Sequence, residues 1–219
     1  MRIKGLYIFF YFLTLFFSNR LQSQCSNLEV NSGNAANLIT ETIYYEPFTA
    51  QEGKGAIGNT TDLSGCNWSI DINAANLSNT GDWFKVSNVN GSERMEARDV
   101  DGICIWYSPL INILNYKNVS ISLNASESGW LESNDIFYSE YSLDGASWTY
   151  FTSYGQLSDD FNSRTVTQNG LTGSSLQIRV SMNVDASNEY LRLDDVTVTG
   201  QAYKINLCYG DPLNLGGSP

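Results

Sequence analysis

Leu176, Ile178, Val180, Met182 and Val184 alternate without a break with Gln177, Arg179, Ser181 and Asn183. Val119, Ile121, Leu123 and Ala125 do the same with Ser120, Ser122 and Asn124. Only an extended strand sends successive side chains to opposite faces, whereas a helix needs apolar residues at i, i+3, i+4 and i+7. Both stretches therefore read as strands with one face in a core and the other in water. Between Asp135–Leu143 and Ser147–Thr152 stands Asp144-Gly145-Ala146, and Asp-Gly tolerates the positive φ of a tight hairpin. Further strands are expected at Thr42–Phe48, Asn67–Asp71, Trp83–Ser87, Arg94–Asp99, Ile103–Tyr107 and Tyr190–Thr199. About ten strands without βαβ rhythm predict an all-β chain, an antiparallel sandwich, with the jelly roll as its form.

The N-terminus bears on compartment. Arg2 and Lys4 precede a run from Gly5 to Ser18 that is almost unbroken in apolar residues, followed by a polar stretch to Gln24. This is the layout of a secretory signal peptide cleaved near Ser23 or Gln24. A membrane anchor is the rival reading, but a span needs about 20 apolar residues. Lipidation at Cys25 is a third, and Gln24 is too large for a lipoprotein cleavage box. The expected organisation is thus a signal at 1–24, a small polar leader at 25–39, a sandwich at 40–201 and a tail at 202–219. Without the signal, nine basic residues face 23 acidic ones, a net charge near −14. That balance disfavours nucleic acid and anionic membranes, which demand clustered Lys and Arg. It suits solubility and cation binding. The chain is expected to be secreted or held at a cell surface.

The chain has no histidine, which removes Ser-His-Asp and Cys-His triads and the usual imidazole zinc sites. Phosphate-binding and dinucleotide-binding glycine loops are missing as well. A glycosidase needs only two carboxylates, yet Glu93, Glu96 and Asp99 come nearest to a catalytic pattern and are wrongly spaced. No enzyme is expected. Four cysteines in an exported chain, Cys25, Cys66, Cys104 and Cys208, allow three disulfide connectivities. Cys66 and Cys104 share the sandwich region and form the favoured pair, with free buried thiols as the alternative.

In Tyr190-Leu-Arg-Leu-Asp-Asp-Val-Thr-Val-Thr199, period two puts Asp194 on one face with Val196 and Val198. A bare carboxylate facing a core is costly. Calcium, which takes six to eight oxygen ligands, would relieve it, with Glu46 on the first strand as second ligand if first and last strands are neighbours. Alternatively, Asp194 accepts backbone N–H bonds at a bulge or pairs with Arg192 or Arg179.

A first strand ending Glu46-Pro47-Phe48 and a last strand carrying Leu193-Asp-Asp-Val196 resemble the jelly rolls of carbohydrate-binding modules and MAM-type adhesion domains. Gly65-Cys-Asn-Trp-Ser-Ile-Asp71, Asp82-Trp-Phe-Lys-Val86, Asp99-Val-Asp-Gly102, Trp106-Tyr-Ser-Pro109 and Tyr141-Ser-Leu-Asp-Gly145 are similar to a sandwich module of secreted Bacteroidetes proteins. The resemblance spans roughly Tyr44 to Gly200 and implies an accessory binding role; it lends no support to a Cys66–Cys104 bridge. Tyr203–Pro219 resembles the opening of an immunoglobulin-like repeat of long surface adhesins, so downstream domains of a longer parent chain are expected, against the alternative of a plain tail.

Five tryptophans and 13 tyrosines offer stacking surfaces for sugars. Trp130, in the polar stretch Ser126–Asn134, is the first candidate ligand-binding residue, followed by Tyr107, Trp148, Tyr150 and Tyr154. Trp68, Trp83 and Trp106 are expected in the core. A glycan or other cell-surface ligand is the expected partner. A structural spacer in a surface adhesin is the runner-up.

Overall fold

The computed structural model describes residues 38–203, and within them Thr40–Ala202 forms one compact unit. The expected signal peptide, the leader up to residue 37, Cys25, Cys208 and the tail from residue 204 lie outside the described residues; the last two leader positions belong to β1 and the first two tail positions to β15.

Fifteen strands follow in order: β1 (Leu38–Glu46), β2 (Gly55–Ile57), β3 (Thr60–Asp62), β4 (Ser69–Asp71), β5 (Trp83–Val89), β6 (Ser92–Arg98), β7 (Cys104–Tyr107), β8 (Ile111–Asn112), β9 (Lys117–Ser128), β10 (Ile136–Leu143), β11 (Thr149–Tyr150), β12 (Gln156–Ser158), β13 (Ser163–Leu171), β14 (Ser175–Asn183) and β15 (Tyr190–Tyr203). The first sheet runs β13-β9-β15-β6-β5-β2-β3, with β1 on β15. The second runs β11-β10-β14-β7-β4, with β12 on β10 and β8 on β14. The long pairings are antiparallel: β9 with β13 and β15, β5 with β6, and β14 with β7 and β10. The fold is an all-β jelly-roll sandwich.

The alternation in the sequence explains the core. Leu176, Ile178, Val180 and Met182 of β14 and Val119, Ile121, Leu123 and Ala125 of β9 are all buried. They join Phe84, Val86, Met95, Trp106, Phe137, Leu191 and Leu193 in a single cluster. Each such large side chain contributes about 1.5–3 kcal/mol by leaving water. Phe48 is fully buried with a φ of 56° and meets Trp68 and Trp106 edge to face, with ring centres 6.1 and 5.9 Å away. Glu46 Oε1 holds this left-handed turn by accepting from Phe48 N at 2.8 Å. The Glu-Pro-Phe sequence is thus a device for seating an aromatic ring.

Trp68 and Trp106 are core residues, as expected, but Trp83 is not. Phe84 takes the inward position of β5, and Trp83 stands on the outer face of the first sheet. There it donates to Glu96 Oε1 at 3.0 Å and is covered by Lys85 and Arg98, 4.8 and 4.6 Å from its ring centre.

Candidate functional site

β15 does not keep the period-two phase that placed Asp194 inward. Its register against β9 shifts between Asp194 and Thr197, and Asp195 has a φ of 50°. This bulge lets Leu191 and Leu193 point inward before it and Val196 and Val198 after it. Asp194 faces outward, lining an open polar groove of about 550 Å³ with Ser92, Arg94, Asn124, Arg164 and Asp195. Its Oδ2 is 3.2 Å from Arg94 Nε, and Oδ1 accepts from Asp195 N at 2.9 Å. Burial raises its pKa above the ordinary value despite Arg94.

Glu46 has its own set of donors, Phe48 N and Gln51 Nε2, each 2.8 Å from Oε1. Protein donors thus meet Glu46 and Asp194 separately, and the bulge turns outward the Asp194 charge whose expected inward position suggested a shared calcium. Of the two arginines weighed for Asp194, neither pairs with it. Arg192 holds Glu96 at 2.7 Å and Arg179 holds Glu140. Cys66 and Cys104 are free thiols, so the expected disulfide is not formed. Cys104 points into the core from β7, where burial pushes its thiol up to about 12.

Three of the five aromatic candidates come together on the outer face of the second sheet. The cross-strand register aligns Tyr150 with Glu140, Glu140 with Arg179, and Arg179 with Tyr107. Inward neighbours on the same strands, such as Ile178 and Trp106, fix the outward direction of this row. Arg179 donates to Glu140 through Nε at 2.7 Å and a second nitrogen at 2.9 Å. This fork, with Tyr107 behind it, raises the arginine pKa further. Trp148 lies under the guanidinium, 4.5 Å from it, with Tyr107 5.9 Å from its ring centre. At the other end, Tyr150 is 42 % exposed and meets Tyr138 edge to face at 5.6 Å. The result is a row of aromatic rings around a fixed charged fork.

Tyr154, 53 % exposed, lies apart from this row with Arg164 5.5 Å from its ring. Trp130 is 78 % exposed on the loop between β9 and β10 and belongs to no aromatic pair among the described residues. Beside it is a feature that sequence reasoning missed. Glu132 and Asp135 of that loop and Asp185 and Glu189 of the β14–β15 loop bring carboxylate oxygens within 4.8 Å of one another, a set that could hold a metal ion. Gly129 permits the approach of the two loops: a Cβ there would lie 2.7 Å from Asn188 O and 2.9 Å from Glu189 Cα. The available signal was two pairs of acids, three and four residues apart, on loops at one end of antiparallel neighbours.

The sequence matches no protein-family model, and no curated protein matches it. Among solved structures it is similar to the K3 cleaved adhesin domain of Lys-gingipain from Porphyromonas gingivalis W83, at 10 % identity and a TM-score of 0.42, over 74 % of this chain and 99 % of that one. It is also similar to a family 61 carbohydrate-binding module solved with β-1,4-galactotriose, at 12 % identity and a TM-score of 0.47, over 72 % and 97 %. A family 16 carbohydrate-binding module follows, at 13 % identity and a TM-score of 0.35, over 63 % and 88 %. The sandwich assignment rests on the strand pairing itself.

Proposed function

We propose that this chain is an exported, non-catalytic binding module that holds a glycan on the outer face of the second sheet. The observation that carries the reading is the row Tyr150, Glu140, Arg179 and Tyr107 in register across four adjacent strands, with Trp148 stacked on the arginine. Sugars offer C–H groups to aromatic faces and hydroxyls to fixed donors and acceptors. Tyr138 and Tyr150 supply ring surface and the Arg179–Glu140 fork supplies both polarities. The fork is already held by its own hydrogen bonds, so little ordering is left for binding to bear. Export is supported by the basic start and apolar run of the first residues.

A glycan array probed with the purified protein, followed by titration of the best ligand, tests this. Tyr150→Ala and Trp148→Ala are each expected to weaken binding at least tenfold, with Trp130→Ala unchanged. Loss confined to Trp130→Ala would move the site to the loop rim. No glycan binding would sink the reading and favour the spacer role.

A further inference from the structure

We propose that Glu132, Asp135, Asp185 and Glu189 form a site for a hard divalent cation, calcium by donor chemistry, that ties the β9–β10 loop to the β14–β15 loop. The four carboxylates converge within 4.8 Å from two loops far apart in sequence. Convergence alone is common on acidic surfaces, but two of these acids are not on the surface. Asp135 is 0 % exposed and Glu189 is 3 % exposed. Asp135 Oδ1 and Glu189 Oε2 are buried without any hydrogen-bond partner. A buried carboxylate oxygen left bare is costly unless a donor or a metal meets it.

The rest of the surroundings point the same way. Among the described residues no arginine pairs with any of the four: Arg94, Arg179 and Arg192 engage Asp194, Glu140 and Glu96, Arg98 bonds the Gly81 carbonyl, and Arg164 bonds the Ser163 carbonyl. The loops are shaped to present the acids. Asp135 Oδ2 accepts from Glu132 N at 2.7 Å, and Asn134 Nδ2 donates to Asp185 Oδ2 at 2.9 Å. An all-oxygen carboxylate set drawn from two loops suits calcium, whereas magnesium demands tighter octahedral geometry. Trp130 is part of the first of these loops, so the cation would also fix its position.

The test is calorimetric titration of calcium chloride into the chelator-treated purified protein, with melting temperature as a second readout. One calcium per chain is expected. Melting should rise by roughly 5 to 10 °C at a hundredfold excess over Kd, and magnesium should bind at least tenfold more weakly. Glu189→Gln and Asp135→Asn should each abolish the calcium response. Metal-free, Glu189→Gln should melt no lower than the wild type, because it removes a repelled charge, which separates a lost site from a lost fold. Asp194→Asn should leave calcium binding intact. Absence of a calcium response in the folded wild type overturns the proposal. So does a response that survives Glu189→Gln and Asp135→Asn, or one abolished by Asp194→Asn. Equal magnesium affinity overturns the assignment to calcium.

Discussion

The Arg179 guanidinium lies 4.5 Å from the centre of the Trp148 ring, so the ring covers one face of a cation whose edge is already committed to Glu140. Charge, fork and ring are assembled by three strands and the turn that precedes β11, and each restrains the others.

Removing the cation should therefore be felt in stability as well as in binding. Glu140 is buried, and Arg179→Ala leaves it without its donors. Partial exposure of the arginine moderates the loss to about 2–3 kcal/mol, below the range for fully buried pairs. Arg179→Lys keeps the charge but not the fork and should lose about 1 kcal/mol. Urea unfolding should show a lower midpoint with an unchanged slope in both. A full-strength Arg179→Ala would mean that the pair contributes nothing.

The strands around this fork were legible because their two faces differ. β14 and β9 alternate cleanly, and the Asp144-Gly145 turn has φ values of 52° and 74°. β13 was missed because Ser-Arg-Thr-Val-Thr-Gln-Asn offers only one buried apolar residue, Val166, in its first seven positions. As an edge strand it takes its conformation from pairing with β9. Asp194 was misplaced for a different reason. A bulge inverts the phase of a strand, and nothing in Leu-Asp-Asp-Val distinguishes a bulged from a regular ladder. The aromatic row was half legible: the residues were candidates, but their alignment depends on register between strands distant in sequence. The acidic cluster depends on two loops meeting, which no local pattern states.

Asp99-Val-Asp-Gly102 shows a motif whose role is conformational. Asp99 and Asp101 have φ of 48° and 47°, and Gly102 has φ of 150°. A Cβ on Gly102 would fall 2.1 Å from the carbonyl oxygen of Ala74. Gly102→Ala should cost about 3 kcal/mol or more, since backbone must move. Gly53 has φ of 84° with nothing within 4 Å of its Cβ position, so Gly53→Ala should cost only about 1 kcal/mol from conformation. Equal losses in thermal melts would remove the clash as the cause.

The free thiols predict a labelling pattern. Cys104 is fully buried with its thiol held at about 12, so it should resist iodoacetamide at pH 8 in the folded protein and react after unfolding. Cys66, half-buried with its pKa also raised by burial, should react slowly. Peptide mapping by mass spectrometry reads both sites. A Cys66–Cys104 disulfide peptide in the unreduced map would contradict the free thiols.

Glu46 predicts a pH dependence. Burial raises its pKa, and the bonds from Phe48 N and Gln51 only partly oppose that. An acid with a raised folded pKa holds its proton more tightly folded than unfolded. Its ionisation therefore weakens the fold as pH rises from the ordinary carboxylate range through the raised value, and has no effect below that range. Glu46→Gln keeps an oxygen to accept from Phe48 N and removes the buried charge. The variant should melt above the wild type at pH 7, and the difference should shrink to its low-pH limit by about pH 3, where Glu46 is protonated in both states. A variant that melts below the wild type at pH 7 would mean that the two charge-assisted hydrogen bonds outweigh burial, and that the turn seating Phe48 depends on the carboxylate itself.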